Sequence, residues 1–282
     1  MFNTVTIVGV GLISGSFSLA LKDRKLVKKV IGVSRTEASA KKALELGLID
    51  EVLPLKEAVQ QSDLIYVAIP VDATIPVMLE VMDLVNEHQI VADAGSTKHP
   101  LCDALKDHPM RGRFVATHPM WGTEYSGPEA AVRDAFVGRA CVICEKEKSE
   151  PKAVALMEDI YRQLGMHIIY MDADSHDMHT AYVSHISHIT SFALANTVLE
   201  KEREEDTIFE LAGGGFESTV RLAKSNPAMW VPIFKQNRDN VLDVLNEHIS
   251  QLRKFKACLE KENYAYLLEL IENANKIRRI LK

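Results

Sequence analysis

The chain has 282 residues, of which 47% are hydrophobic and 26% charged, a composition typical of a globular protein with one large or two ordinary domains. Its net charge of −6 argues against a non-specific nucleic-acid-binding protein. No apolar run reaches the roughly 18 residues of a membrane span, Met1–Asn3 shows no signal-peptide pattern, and four cysteines make no disulfide framework. We therefore expect a cytoplasmic protein.

The first part of the chain alternates short apolar runs with amphipathic segments. The apolar runs predict strands at residues 4–9, 29–33, 63–69, 89–93, 113–117, 140–144 and 167–171. Helical patterns, for example at 37–46 and 73–85, lie between most of these strands. Such alternation predicts βαβ units and an α/β fold with a doubly wound, mostly parallel sheet.

The strand pattern stops near Asp172, and the rest of the chain is predicted to be helical. We expect an α/β domain over residues 1–172 and an all-helical domain over residues 173–282, ending in a helix at 262–281. The charged run 200–206 is predicted to be a solvated helix end or a loop. An apolar stripe at three- and four-residue steps predicts a helix and a homodimer interface, at Val241, Leu245, Ile249, Leu252 and Phe255.

A glycine-rich loop follows the first predicted strand and opens a helix, which favours a dinucleotide site over a merely structural turn. Gly9 permits the tight turn, and Gly11 lets a pyrophosphate approach the backbone. The third position of the pattern needs only a small side chain, here Ser14. The helix N-terminus offers amides to the phosphates, so the expected cofactor-binding residues also include Leu12 and Ile13.

The end of the second strand selects the cofactor. NAD sites usually place a carboxylate there to bind the ribose 2′-hydroxyl, whereas this chain has Ser34, Arg35 and Thr36. Two hydroxyls and a guanidinium suit a 2′-phosphate, so we expect NADP. The alternative is NAD, with an acid supplied from elsewhere, such as Glu37.

Polar residues follow the fourth and fifth predicted strands, 89–93 and 113–117, at the edge where open α/β sheets bind ligands. Ser96 lies in the sequence DAGSTK after one strand, and His118 begins HPMWGTE after the next. A histidine beside a nicotinamide can take a hydroxyl proton as hydride leaves, although a lone histidine at a strand end is more often structural.

The helical part begins with a histidine cluster consisting of His176, His179, His185 and His188. No carboxylate or thiolate completes a metal-ligand signature, so no metal is expected. We expect instead a pocket for an anionic substrate, in which these histidines, near Arg221, supply local positive charge.

Five motifs occur together in order: GVGLISGS, DAGSTK, HPMWGTE, HD followed by SHISH, and GGGFESTVRLAKSNPAMW. With these motifs, over about the first 235 residues, the chain resembles the prephenate dehydrogenase family, which includes arogenate dehydrogenases. The resemblance implies a Rossmann-type domain followed by an all-helical dimerisation domain. It also implies oxidative decarboxylation of prephenate to 4-hydroxyphenylpyruvate in tyrosine biosynthesis, with hydride transfer to NAD(P).

The resemblance also implies roles for individual residues. His118 would accept the proton of the ring hydroxyl, and Ser96 would touch the same hydroxyl and orient His118. The other matched residues would bind or cover the substrate or lie at the dimer boundary: His176 and His188 in the pocket, Arg221 on a carboxylate, Glu124 as a gating acid, Gly214 on the loop over the substrate, and Trp230 at the boundary.

This chain departs from the family pattern before the substrate arginine. Members often carry an Arg-Asp pair there, whereas this chain has Glu217 and Ser218, so Glu217 is the expected replacement partner for Arg221. Three alternatives stay open: an arogenate dehydrogenase that makes tyrosine directly, another dehydrogenase related to β-hydroxyacid dehydrogenases, and a nucleotide-sensing scaffold without turnover. The sequence does not decide between prephenate and arogenate.

Overall fold

A computed structural model describes residues 1–203 and 207–280 of the chain. Strands and helices alternate first, as β1 Phe2–Val8, α1 Leu12–Asp23, β2 Val27–Val33, α2 Glu37–Glu45, β3 Glu51–Val52, α3 Leu55–Gln60, β4 Leu64–Val67, α4 Val71–Leu84, β5 Ile90–Asp93 and α5 His99–Leu105. The α/β part then continues with β6 Phe114–Pro119, β7 Ala140–Cys144, α6 Pro151–Gln163 and β8 His167–Met171.

The strands form one sheet in the order β3-β2-β1-β4-β5-β6-β7-β8. All neighbours are parallel except β6 and β7, which confirms the predicted doubly wound, mostly parallel sheet. The strand order reverses between β1 and β4, and ligands of such sheets bind beyond the strand ends at this point. Because β5 and β6 are parallel, Asp93 and His118 lie near the same edge.

Each face of the sheet packs against its own layer of helices. Phe17 of α1 stacks on Tyr66 of β4 with ring centroids 4.1 Å apart, in the cluster that covers one face. On the other face, Met78 and Met82 of α4 are completely buried. Continuous apolar strands are therefore covered on both sides, as parallel sheets require.

The chain after β8 is helical, as predicted. Its helices are α7 Ala173–Thr180, α8 Ile186–Glu202, α9 Gly214–Val220, α10 Pro227–Gln236, α11 Arg238–Glu260 and α12 Tyr264–Asn275. A single π-helical turn, Ala181–His185, joins α7 to α8. The charged run at 200–206 begins at the end of α8, and its residues 204–206 lie outside the described residues.

The last predicted helix is shorter than expected. The side chain of Asn263 accepts a hydrogen bond from the backbone N–H of Tyr266 and caps α12, so the helix starts after residue 263. Its α-helical part ends at Asn275 and is followed by a short 3₁₀ turn, Lys276–Arg279. Residue 281 lies outside the described residues.

Apolar side chains remain uncovered on the last two helices. Val241 of the predicted stripe packs inside the chain, whereas Leu252 is 55% exposed. Helix α12 buries none of its residues, and Leu268 on it is 57% exposed. Contiguous exposed apolar side chains are typical of protein–protein interfaces, so these helices stay the predicted place of a homodimer interface. In the described parts of the chain, no helix has the length and apolar character needed to cross a bilayer.

Candidate active site

The loop between β1 and α1 has the shape of a pyrophosphate cradle. Gly9 has φ +87°, and a Cβ there would lie 2.6 Å from the carbonyl oxygen of Ala68, so the turn requires glycine. At Gly11, by contrast, a Cβ would meet no atom within 4 Å, so the backbone is open where a phosphate would approach. Leu12 and Ile13 form the first turn of α1 and are half-buried. These residues fit a bound dinucleotide.

Ser14 shapes this loop through its hydroxyl. Its Oγ accepts a hydrogen bond from the N–H of Gly11 at 3.0 Å and donates to the carbonyl of Gly9 at 2.5 Å. The Ser14 side chain is buried, so its hydrogen bonds stabilise the loop from the protein interior. The sequence predicted only a small residue here, and the structure adds this hydrogen-bonding role.

The segment after β2 presents polar groups without a carboxylate at its start. Ser34 Oγ donates to the carbonyl of Thr36 at 3.0 Å, and Thr36 caps α2 by accepting from the N–H of Ser39. Arg35 is exposed, and so is Glu37 at the first position of α2.

His118 lies at the end of β6 and is half-buried. Its Nδ1 lies 2.8 Å from Nε2 of His176, a completely buried residue of α7. Nδ1 of His176 lies in turn 2.7 Å from Oδ1 of Asp177. The predicted base is therefore the first member of a chain of three side chains that starts in the sheet and ends in the helical part.

A buried ion pair holds the strand ends beneath His118. Lys98 Nζ pairs with Asp93 Oδ2, and both side chains are completely buried. Asp93 also accepts from the N–H of Gly95 at 2.8 Å and from that of Thr117 at 3.1 Å. One carboxylate thus ties the loop after β5 to the residue that precedes His118.

Ser96 is half-buried in this same loop. The orienting contact on His118 Nδ1 comes from His176, whereas the resemblance gave that role to Ser96. His176 is completely buried between His118 and Asp177, and its role in the substrate pocket stays a prediction.

Burial disfavours the charged forms of four histidines, His118, His176, His185 and His188, which argues against the expectation that such histidines supply positive charge. Burial lowers the pKa of His118 well below its usual value, and the neighbouring His176 and Lys98 lower it further. Burial also lowers the pKa of His185 to about 4. The pKa values of His176 and His188 shift downward for the same main reason.

His188 stacks on Trp230 with ring centroids 3.5 Å apart. Its Nδ1 donates to the carbonyl of Ser184 at 3.0 Å, which leaves Nε2 as an acceptor in the neutral ring. Trp230 is buried, and its indole N–H has no partner within the described residues. His179, by contrast, is exposed, and its Nδ1 donates to the carbonyl of Ser175 in its own helix.

Arg221 forms its ion pair with Glu124, at 3.0 Å from Nη1 to Oε2. Glu217 was the expected partner, and the structure corrects this, since the acid comes from the loop after β6. The Arg221 side chain is 51% exposed, whereas Glu124 is 13% exposed. Gly214 is exposed at the start of α9, and among the described residues no hydrogen bond or ring contact joins it to the histidines.

Asp93, Lys98 and Asp177 were not predicted as site residues, although Asp93 and Lys98 lie in DAGSTK and Asp177 lies in the HD pair. Asp177 directly follows His176 in the HD pair, and this adjacency was the available signal. No group of three histidine, cysteine, aspartate or glutamate side chains suited to a metal ion occurs in residues 1–203 and 207–280.

Two family models match the chain in succession. The model described as prephenate dehydrogenase, nucleotide-binding domain, matches residues 17–170, and the one described as prephenate dehydrogenase, dimerization domain, matches residues 172–273. The chain is 31% identical over 281 residues to prephenate dehydrogenase of Bacillus subtilis, covering 99% of this chain and 76% of that protein. It is 29% identical over 284 residues to cyclohexadienyl dehydrogenase of Zymomonas mobilis, covering 100% and 97%.

A solved structure has the same fold over the whole chain. It is prephenate dehydrogenase from Aquifex aeolicus in complex with hydroxyphenyl propionate and NAD⁺. Its TM-score is 0.92 at 29% identity, with 100% of this chain and 99% of that chain covered.

Proposed function

This chain belongs to the prephenate dehydrogenase family, and we propose on that premise that it oxidises prephenate to 4-hydroxyphenylpyruvate with loss of carbon dioxide. The observation that carries the proposal is the neutral His118 at the carboxyl edge of the sheet, held through Nδ1 by a buried histidine. A neutral imidazole is the form that can take a proton from the ring hydroxyl. The bound nicotinamide would accept the hydride from the ring carbon that carries this hydroxyl.

Charge balance defines what His118 has to do. Prephenate carries two carboxylates and the product one, while the cofactor loses its positive charge, so the reaction releases no net proton. His118 takes the hydroxyl proton as the carbon is oxidised. It returns the proton to the same oxygen once carbon dioxide has left and the ring has become a phenolate. A base with a lowered pKa suits this return because its protonated form is a strong acid.

The substrate's carboxylates need a cationic partner, and Arg221 is our proposed one. Glu124 occupies Arg221 in the structure, so a substrate carboxylate would replace Glu124 on the guanidinium. We propose that Ser96 touches the ring hydroxyl, that His188 offers Nε2 to the pocket and that Gly214 lies over the substrate.

We propose NADP as the preferred nicotinamide cofactor and NAD as the alternative. The support is the exposed Arg35 beside the hydroxyl of Ser34, with no carboxylate at the end of β2. Ser34→Asp should shift the ratio of kcat/KM values toward NAD by at least about tenfold, the effect of repelling a 2′-phosphate. Glu37→Gln is the matched variant, since it removes the alternative acid. A loss of NAD use in Glu37→Gln, with no shift in Ser34→Asp, would overturn the assignment.

We propose that the division near residue 172 separates a nucleotide domain from a helical domain that forms a homodimer in the cytoplasm. The uncovered apolar side chains of α11 and α12 support the dimer. Light scattering coupled to size-exclusion chromatography should give twice the chain mass of 31.5 kDa. A monomer at micromolar concentration would contradict it.

The function is tested with purified protein, NAD or NADP, and three substrates: prephenate, arogenate and a short β-hydroxyacid. The near-ultraviolet absorbance of the reduced nicotinamide reports turnover, and chromatography separates the keto acid from tyrosine. We expect the highest kcat/KM with prephenate. Preference for arogenate would assign the alternative activity, and turnover of the hydroxyacid alone would refute both. Cofactor binding without turnover of any substrate would instead indicate a nucleotide-sensing scaffold.

A further inference from the structure

We propose that Asp177, acting through His176, is a positioning residue that fixes which ring nitrogen of His118 carries the proton. The inference rests on the proposed function only for its catalytic consequence. The geometry itself concerns three side chains in one chain of hydrogen bonds, at 2.8 Å between the two rings and 2.7 Å between His176 and the carboxylate.

The direction of each hydrogen bond follows from the carboxylate. Asp177 accepts from the backbone N–H of Lys98 at 2.7 Å and from that of His99 at 2.9 Å, as carboxylate oxygens do. The hydrogen on His176 must therefore lie on Nδ1, where it donates to Asp177. Nε2 of a neutral His176 then has only a lone pair.

The same logic extends to His118. Because His176 Nε2 can only accept, His118 must donate from Nδ1, and its own hydrogen is thereby placed away from the substrate side. The lone pair is left on Nε2, which is the nitrogen a general base needs. A His118 with its hydrogen on Nε2 would instead be a donor and could not take the hydroxyl proton.

Asp177 is itself held from two sides. The amides of Lys98 and His99 come from the start of α5 in the α/β part, and Asn237 donates to the backbone carbonyl of Asp177 at 2.7 Å from the helical part. The carboxylate is 2% exposed, so water does not compete for its lone pairs. Its negative charge also stabilises His118 while that ring holds the substrate proton, before the proton returns to the substrate oxygen.

Asp177→Ala removes the acceptor and should leave both histidine tautomers populated. We expect kcat to fall at least about tenfold, because a general base contributes roughly 10²–10⁴-fold and only part of this survives a mixed tautomer. KM should stay within about threefold, since Asp177 does not touch the substrate. Asp177→Asn retains an oxygen that can face His176, so it should recover the tautomer and part of the lost kcat.

Asp174→Ala is the matched control. Asp174 lies one turn earlier in α7, is exposed and pairs only with His99 among the described residues, so kcat and KM should not change. The decisive measurement is the tautomer itself, read from long-range proton–nitrogen NMR of the histidine rings, with His118 identified by its loss in His118→Asn. The wild-type protein should show His118 with hydrogen on Nδ1, and Asp177→Ala should show hydrogen on Nε2 in a large fraction.

If Asp177→Ala does not fold, His176→Phe replaces it, because that variant removes the acceptor for His118 and keeps a ring in the space. A His118 that keeps its Nδ1 hydrogen in the folded variant, or a kcat within twofold of wild type, would overturn the proposal. The NMR result does not depend on turnover. A wild-type protein inactive on every substrate, with the expected tautomers, would therefore refute the proposed function and leave this inference standing.

Discussion

Replacing His118 by Asn removes one nitrogen of the base and keeps the other contact. The side-chain amide of Asn places its Nδ2 near the position of the histidine Nδ1, so it can still donate to Nε2 of His176. The nitrogen that takes the substrate proton has no counterpart in Asn. The variant therefore separates the base from the hydrogen bond that positions it.

The expected loss in kcat is the contribution of a general base, roughly 10²–10⁴-fold, or about 2.7–5.4 kcal/mol of transition-state stabilisation. The free energy of unfolding should change by no more than about 1 kcal/mol, since the hydrogen bond to His176 can be retained and the site is half-buried. Binding of the nicotinamide cofactor should be unchanged.

The assay follows the absorbance of reduced nicotinamide at saturating prephenate, with cofactor binding and thermal unfolding measured on the same samples. His108→Asn is a suitable control, since His108 bonds only to Asp83 and its neighbouring backbone within the described chain, after α5. A His118→Asn enzyme with a kcat within about fivefold of wild type would show that another group takes the proton, and the mechanism proposed above would fail.

Three further predictions concern pH and substrate binding. Activity should not fall until the pH is below the usual histidine pKa of about 6.5, because burial, followed by His176, Lys98 and His185, lowers the pKa of His118 well below that value. A decline centred at or above pH 6.5 would contradict this. Arg221→Ala should raise KM for the substrate at least about tenfold and leave kcat nearly unchanged, while Glu124→Gln should lower KM. Both effects are read from initial rates. An unchanged KM in Arg221→Ala would refute the carboxylate contact. His185 takes a proton in the unfolded chain near pH 6.5 but in the folded chain only near pH 4. As the pH is lowered from 7 to 4, the free energy of unfolding of the wild type should therefore fall by on the order of 3 kcal/mol more than that of His185→Gln. Equal losses in denaturant titrations would contradict the burial of His185 in its neutral form.

The fold was predictable wherever a strand is long and buried on both faces. Apolar residues fill β4 and end β1 at Ile7 and Val8, and the glycine loop fixes the order of β1 and α1. Strand β3 could not be predicted, because Glu51 and Val52 owe their conformation to backbone pairing with β2 and carry no apolar pattern. The antiparallel direction of β7 could not be predicted either, because an apolar run does not indicate the direction of its strand. A long connection also separates β7 from β6.

Sequence motifs were enough to single out His118 and Arg221, whose catalytic and binding roles stay predictions. Its internal contacts were not, because they join residues far apart in the chain. The carboxylate that pairs with Arg221 lies 97 positions earlier, at Glu124, and no local pattern links the two. The protonation of the histidines depends on burial between the sheet and the helical part, which a list of charged residues does not reveal.

Neutral histidines leave the site with few positive charges for a substrate that carries two carboxylates. Lys98 is matched by Asp93 in a completely buried pair, so its charge is already balanced. Arg221 is balanced by Glu124, whose pKa is lowered by a hydrogen bond from its own backbone and by the guanidinium. Only the second pair is partly exposed and can exchange partners at low cost. If Arg221 binds a substrate carboxylate, as proposed above, that carboxylate competes with Glu124 for the guanidinium. Glu124 lies in the loop that follows His118, so under this proposal the carboxylate contact and the base belong to the same segment of the chain.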